Sequence, residues 1–291
     1  MTARELEFYA SPAAMTVLPQ HPALDEIPVD PGVRRRCVQG LLVHRDWAGA
    51  YGLAAETVRL DEQHLRSTKE VLGRAFEICG EPITVARQPA DRVVGICRHF
   101  TVLHTAFLRD QGVPARVRCG FANYFDRSKW YDHWITERWD SSRWIREDPQ
   151  IDELQAKVIN IDFDPYDQPA GQFLTGGEAW RAVRAGDLDA SLFGIFDMWG
   201  LAFIAGNVLA DLGCLNKVEL LPWDSWGMGL GFGPHDSLRA DIVENIDVLT
   251  RATAGGFDAL RRRYTTDDAV RVPADITSFI DGEPVAVHLE L

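Results

Sequence analysis

The chain has 291 residues, 46% of them hydrophobic and 25% charged, the mixture of a folded globular protein long enough for one large or two modest domains. Its 43 acidic side chains outnumber 30 basic ones for a formal charge of -13, which repels phosphate backbones and anionic lipid, so neither nucleic acid nor membrane is an expected partner. Five scattered cysteines, an odd number without a C-x-x-C pair, suggest neither a disulfide framework nor a thiolate zinc site; no metal is expected.

The first twenty residues lack a basic segment followed by an unbroken apolar one, so no secretory signal is expected. Residues 31–80 carry apolar positions at helix spacing (Val38, Leu41, Leu42, Trp47), and Ser67-Thr-Lys-Glu70 has the form of a capping box ahead of Val71, Leu72 and Phe76. This predicts an all-helical leader over residues 1–88. Residues 89–152 change character, with one helix from Cys97 to about Asp110 and then three β-rich runs, Ala115 to Phe125, His133 to Trp139 and Arg143 to Asp148. A helix followed by an antiparallel sheet is expected there. From residue 153 to 291 the helical period returns, at Gly177 to Arg184, Phe196 to Leu215 and Ser237 to Arg263, before a strand-like Val285 to Leu291. Gly200, Gly206, Asn207 and Asp211 interrupt the apolar stretch after Phe196, so no membrane span is expected and a cytoplasmic location follows. No linker separates these regions, and one compact α+β unit is predicted.

Gly227, Gly229, Gly231 and Gly233 alternate without matching G-x-G-x-x-G or a P-loop, so they read as tight turns before Ser237. His99 and His104 stand five apart on one helix, face different ways and cannot chelate together.

Gly95-Ile-Cys97-Arg-His-Phe100 puts a thiol in the first turn of a helix whose apolar residues Phe100, Leu103 and Phe107 keep the helix period, with Gly112 and Pro114 as the stop signal. The positive end of the helix dipole and its unpaired N–H groups favour a thiolate there, and the same N–H groups can donate to an oxyanion. A small buried core residue is the alternative for any cysteine, and the reading adopted for Cys37, Cys79, Cys119 and Cys214. Downstream, His133 to Trp139 and Arg143 to Asp148 flank the polar Asp140-Ser-Ser142 and read as a hairpin. With a loop of Asp140-Ser141, His133 stands opposite Asp148; with a loop of Asp140 to Arg143, the two are diagonal. Either even-length loop keeps both side chains on one face, where a carboxylate can orient an imidazole. Asp132 points to the other face. A structural His–Asp pair is the alternative for the hairpin alone.

Three motifs in order, Gly95-Ile-Cys97-Arg-His-Phe100 with Leu108 to Val117 and Cys119-Gly-Phe121, then Asp132-His133-Trp134, then Trp144-Ile-Arg-Glu-Asp148-Pro149, resemble the core of the transglutaminase-like superfamily. The resemblance implies an α+β papain-like fold, a nucleophile helix packed on an antiparallel sheet, with helical N- and C-terminal additions. It implies Cys97 as nucleophile, His133 as general base and acid, and Asp148 as the residue that orients the histidine. The segments 162–166 and 219–224 look like those of bacterial transglutaminase-domain proteins. The family often has a small residue between the histidine and the next Trp, whereas Trp134 follows His133 directly, a subfamily trait. Gln88 does not have the spacing of a papain-type oxyanion donor.

The expected reaction is acyl transfer through a thioester, with a small-molecule or peptide acyl donor and water or an amine as acceptor, and needs no cofactor. Trp130, Tyr131 and Trp134 are the candidate substrate-binding residues, and Arg98 and His99 adjoin the nucleophile on what reads as helix surface. The rival readings are a catalytically silent binding module on the same fold and a loose metal set of Cys97, His99 and His133. The residues after Asp152 are expected to shape the substrate cleft.

Overall fold

Side-chain caps mark where several of the helices begin. In the computed structural model, which describes residues 2–24, 27–232 and 238–291, Thr2 accepts the Glu5 N–H, Asp30 that of Val33 and Ser67 that of Glu70. These start α1 (Ala3–Ala10), α2 (Pro31–Leu41) and α3 (Thr68–Ile78). Such caps satisfy N–H groups that have no partner within the helix. At α3 the Glu70 carboxylate returns a bond to the Ser67 N–H at 2.6 Å, completing the predicted capping box.

The described residues divide into two compact units interleaved in sequence, residues 1–117 with 135–168 and residues 118–134 with 169–291. In the first, β1 (Leu42–His44) follows α2 without a break and pairs in parallel with β2 (Val93–Gly95), Leu42 against Val93 and His44 against Gly95. The leader is therefore not all helical. Leu41, Leu42 and Val43 form an apolar run that suits a buried strand as well as a helix, and the parallel partner lies some fifty residues on. Between β1 and α3 the chain makes short 3-10 turns. From β2 the chain enters α4 (Cys97–Asp110), the range its periodicity predicts. Phe100, Leu103 and Phe107 of α4 pack with Val38 and Leu41 of α2, Val71 and Leu72 of α3 and Val93 of β2 in one buried cluster.

Strands β3 (Ala115–Ala122) and β4 (Trp130–Trp139) each begin in one unit and end in the other, and β5 (Trp144–Glu147) pairs with β4 inside the first. The hairpin takes the longer of the two loops the sequence allows: Trp139 faces Trp144 and Thr136 faces Glu147. Asp140 Oδ1 organises the loop by accepting the N–H groups of Ser142 and Arg143, both at 2.8 Å. The short helix α5 (Glu153–Val158), capped by Asp152, completes this unit.

The second unit holds β6 (Phe173–Thr175), α6 (Gly176–Ala185), β7 (Phe193–Ile195), β8 (Met198–Trp199) and α7 (Leu201–Leu215). It continues with β9 (Asp224–Ser225), α8 (Ala240–Ala254), α9 (Phe257–Thr266), β10 (Asp275–Ile280) and β11 (Glu283–His288). The main sheet runs β6-β3-β4-β7-β8, with β5 also on β4, and a separate sheet runs β11-β10-β9. Two predicted helices are corrected. Phe196 to Gly200 is not helical: Phe196 takes φ +53° in the turn between β7 and β8, and the helix starts only at Leu201. The long helix predicted up to Arg263 is two, broken at Gly255-Gly256, where Gly256 has φ +93°. Of the glycine-rich loop, residues 227–231 form a 3-10 turn. Gly227 lies so close to the Ala269 carbonyl that a Cβ would sit 2.2 Å from its oxygen. Gly233 and Ser237 lie outside the described residues.

The α+β class stands. Among the described residues no helix is long and apolar enough to cross a membrane.

Candidate active site

Cys97 is the first residue of α4. The strand that delivers it is held by a buried carboxylate: Glu62, 3% exposed, accepts the Val94 N–H at 2.8 Å and the guanidinium groups of Arg59 at 2.7 Å and Arg74 at 2.8 Å. Arg59 also donates to the Arg92 carbonyl at 2.6 Å, so the residue before β2 is clamped too. A carboxylate that accepts charged donors and a backbone N–H is a strong tie in a partly buried setting.

The turn into α4 is shaped by His99. Its Nε2 lies 2.9 Å from the Leu65 carbonyl oxygen, which can only accept, so Nε2 carries the proton; Nδ1 then accepts the Ile96 N–H at 3.2 Å. Burial, reinforced by the Arg98 guanidinium, pushes this imidazole down to about 3, so it is neutral. With both ring nitrogens engaged, His99 has no lone pair left for a metal. Arg98 and His99 are buried, not on the helix surface, because every residue of the first turn of α4 is packed against the fold to 7% exposure or less. Gly95 is needed where it stands, since a Cβ there would meet the His99 Cβ at 2.9 Å. Ile96, the N-cap, offers no side-chain cap and the first turn contains no acidic residue. The positive end of the helix dipole therefore meets no carboxylate from its own turn, which favours an anion beside it. Cys97 retains 7% of its surface exposed.

Further along, α4 is bound to the hairpin. Thr136 of β4 places its hydroxyl 3.2 Å from that of Thr105 and donates to the Thr101 carbonyl at 3.4 Å. His104 donates from Nε2 to Glu147 Oε2 at 2.8 Å, and Arg138 donates to the other oxygen at 2.8 Å. Burial keeps His104 neutral. Burial also works to raise Glu147, but the His104 hydrogen bond and the Arg138 charge outweigh it and hold the carboxyl well below its usual range. His99 and His104 thus serve different contacts, as their spacing predicts.

Asp148 is fully buried just beyond the end of β5. Its N–H donates to the Pro165 carbonyl at 2.8 Å, and its Oδ1 accepts the Gln150 N–H at 3.0 Å. The β4–β5 ladder ends at Thr136 and Glu147, one residue short of Asp148 and three short of His133.

In the second unit, His133 lies in β4, 2% exposed, with the rings of Tyr124 and Phe125 edge-on to it at 5.9 and 5.0 Å. Its neighbour Asp132 pairs with the Asn207 amide on α7, and burial pushes its carboxyl up to about 6 against that bond. Asn207 Oδ1 also accepts the Cys119 thiol at 2.9 Å. Of the predicted substrate-binding residues, Trp134 is buried, while Trp130 and Tyr131 are half-exposed. Trp130 stacks on Phe193 at 5.8 Å. Tyr131, Gly194 and Trp199 form one row across β4, β7 and β8, and the two rings meet edge to face at 5.5 Å across the glycine. Any side chain at Gly194 would collide with the Met198 oxygen, 2.1 Å from an ideal Cβ. Cys37, Cys119 and Cys214 are buried; Cys79 is intermediate and caps the end of α3. Gln88 is exposed, ahead of a short 3-10 turn.

Among the described residues no three His, Cys, Asp or Glu side chains group as a metal site. Sequence reading missed Glu62, Arg59 and the bonding of His99, whose partners lie far along the chain and carry no local signature. Residues 80–149 match the family model described as Transglutaminase-like superfamily, a span that includes Cys97, His133 and Asp148. No curated protein and no solved structure matches the chain significantly.

Proposed function

With a transglutaminase-like core domain at residues 80–149 as the premise, we propose that the protein catalyses cysteine-dependent acyl transfer. Cys97 is the nucleophile, His133 the general base and acid, and Asp148 the carboxylate that orients the imidazole. The Cys97 thiolate attacks the carbonyl carbon of an amide, ester or thioester, and N–H groups at the start of α4 donate to the resulting oxyanion. As the tetrahedral species collapses, the bond to the leaving group breaks and protonated His133 supplies that group's proton. Water or an amine then loses a proton to His133 and attacks the thioester, releasing the acyl group and restoring the thiolate. Water gives hydrolysis; an amine gives a new amide. Trp130 and Tyr131, half-exposed three and two residues before His133, are the side chains proposed to hold the acyl donor.

The observation that carries this reading is Cys97 at the first position of a fourteen-residue helix with no acidic residue in its first turn, inside the matched core. Intact-mass measurement after exposure to a panel of amides, esters and thioesters tests it. The expected result is a single acyl adduct that peptide mapping places on Cys97 and that Cys97→Ala abolishes. Acylation of another thiol, or none across the panel, overturns it.

A further inference from the structure

Asp148 stands at the buried end of a hydrogen-bond chain that no step above uses. Tyr51 Oη donates to Asp152 Oδ2 at 2.6 Å, Gln155 Nε2 donates to Tyr51 Oη at 3.0 Å, and Gln150 Nε2 donates to Gln155 Oε1 at 3.0 Å. The peptide N–H of the same Gln150 donates to Asp148 Oδ1 at 3.0 Å. All five residues belong to the first unit.

Chemistry sets the polarity of this chain. The Asp152 carboxylate accepts, so the Tyr51 hydroxyl spends its only proton on it. Tyr51 oxygen is then an acceptor, which turns the NH2 end of the Gln155 amide toward it and the oxygen end toward Gln150. Gln150 must answer with its own NH2, leaving Oε1 at the far end. Flipping either amide alone would set two donors or two acceptors face to face. That last oxygen is buried on a residue 2% exposed and has no partner among the described residues. A buried acceptor without a donor is costly, and each such atom calls for a reason in strain or in function.

Tyr51 also lies near the strand that leads to Cys97. The Arg92 guanidinium lies 5.7 Å from its ring centroid, and Arg92 immediately precedes the strand that leads to Cys97. Burial, with the Asp152 hydrogen bond, holds the Tyr51 phenol well above its ordinary value, so it remains a donor. The same turn is tied from outside the chain by Tyr166, which donates to the Ile151 carbonyl at 2.8 Å, accepts from Gln39 at 2.9 Å and carries Arg35 over its ring at 3.3 Å.

We propose that Gln150 is a positioning residue for Asp148, oriented by the Asp152–Tyr51–Gln155 chain so that its carboxamide oxygen stands as a buried acceptor at the Asp148 turn. The inference rests on the role proposed for Asp148. A carboxylate held in one orientation keeps the histidine protonated beside the thiolate; one that wanders releases the proton sooner and returns the thiol.

The test is the pH profile of Cys97 alkylation by iodoacetamide, followed by peptide mass spectrometry in the full chain, with melting temperature measured alongside. Tyr51→Phe removes the hydroxyl that sets the polarity. Gln150→Leu removes the amide and keeps the peptide N–H. Both are expected to move the inflection to higher pH by about half a unit or more. Tyr166→Phe, which loses a half-buried hydroxyl outside that hydrogen-bond chain, is expected to lower the melting temperature and leave the inflection in place. If Tyr51→Phe does not fold, Gln150→Leu and the shorter Gln150→Asn decide. Lowered melting temperatures with an unmoved inflection overturn the inference and leave the catalytic reading intact. A wild-type Cys97 no more reactive than the other thiols overturns both.

Discussion

The imidazole of His99 and the carbonyl of Leu65 meet at 2.9 Å, and that bond fixes which ring nitrogen holds the proton. The other nitrogen is thereby free to accept the Ile96 N–H, so one neutral ring ties the residue before Cys97 to a carbonyl more than thirty positions upstream. His99→Ala is expected to lower unfolding stability by about 2–4 kcal/mol, from lost packing and two stranded backbone groups. Chemical denaturation checks this. The pH dependence has a definite sign. The folded value lies near 3 and the unfolded one near 6.5, so the unfolded chain binds the extra proton in between. The stability this ring contributes is complete above about pH 6.5 and lost as the pH falls toward 3. The difference between wild type and His99→Ala should shrink over that window.

Asp132 shows the opposite slope. Its carboxyl is raised to about 6 in the fold against about 3.9 unfolded, so the native state binds the extra proton and stability falls as the pH rises from about 4 to 6. Asp132→Asn keeps an acceptor for Asn207 and removes the titration. Its melting temperature is expected to exceed that of wild type at pH 7.5 and to converge with it near pH 4. Equal gaps at both pH values would contradict this account of the residue.

Glu62 gathers Arg59, Arg74 and the Val94 N–H. Glu62→Ala strands two guanidinium groups and one strand N–H. Because both arginines are about a third exposed, solvent offsets part of the loss, and a cost of about 2–3 kcal/mol is expected. The variant should also expose residues 93–96 to faster amide hydrogen exchange. Unchanged exchange there would show that β2 is held by its pairing with β1 alone.

Tyr131 and Trp134 separate substrate contact from packing. Tyr131→Ala is expected to raise KM at least fivefold with kcat changed less than threefold, whereas Trp134→Ala, which deletes a buried indole, should cost about 3–5 kcal/mol of stability. Steady-state kinetics on whichever donor acylates Cys97, with denaturant titration of both variants, reads the split. Loss of kcat in Tyr131→Ala at constant KM would move that residue out of donor binding.

Local chemistry made much of this legible and distance hid the rest. The bounds of α4 follow from the spacing of Phe100, Leu103 and Phe107, and the start of α3 from Ser67 and Glu70. The hairpin was readable as a hairpin, but its register turned on how Asp140 folds the loop, which alternation cannot decide. Strand β1 was hidden because Leu41-Leu42-Val43 fits two periods and its partner Val93–Gly95 is remote. The turn at Phe196 was hidden because a bulky residue at positive φ carries no turn signature. The ties that hold the site, Glu62 to Val94, His99 to Leu65 and Tyr51 to Asp152, join residues 32, 34 and 101 positions apart, beyond any window a periodicity can scan.

The proposed mechanism needs Cys97 to be an activated thiol and His133 to activate it. Alkylation of all five cysteines by iodoacetamide at pH 7, in wild type and in His133→Ala, measures this most directly. Cys97 is expected to react at least tenfold faster than Cys37, Cys79, Cys119 or Cys214 in the native wild type, and His133→Ala to remove most of that advantage without unfolding the chain. Equal rates at Cys97 and the other thiols, or a Cys97 rate indifferent to His133, would contradict it.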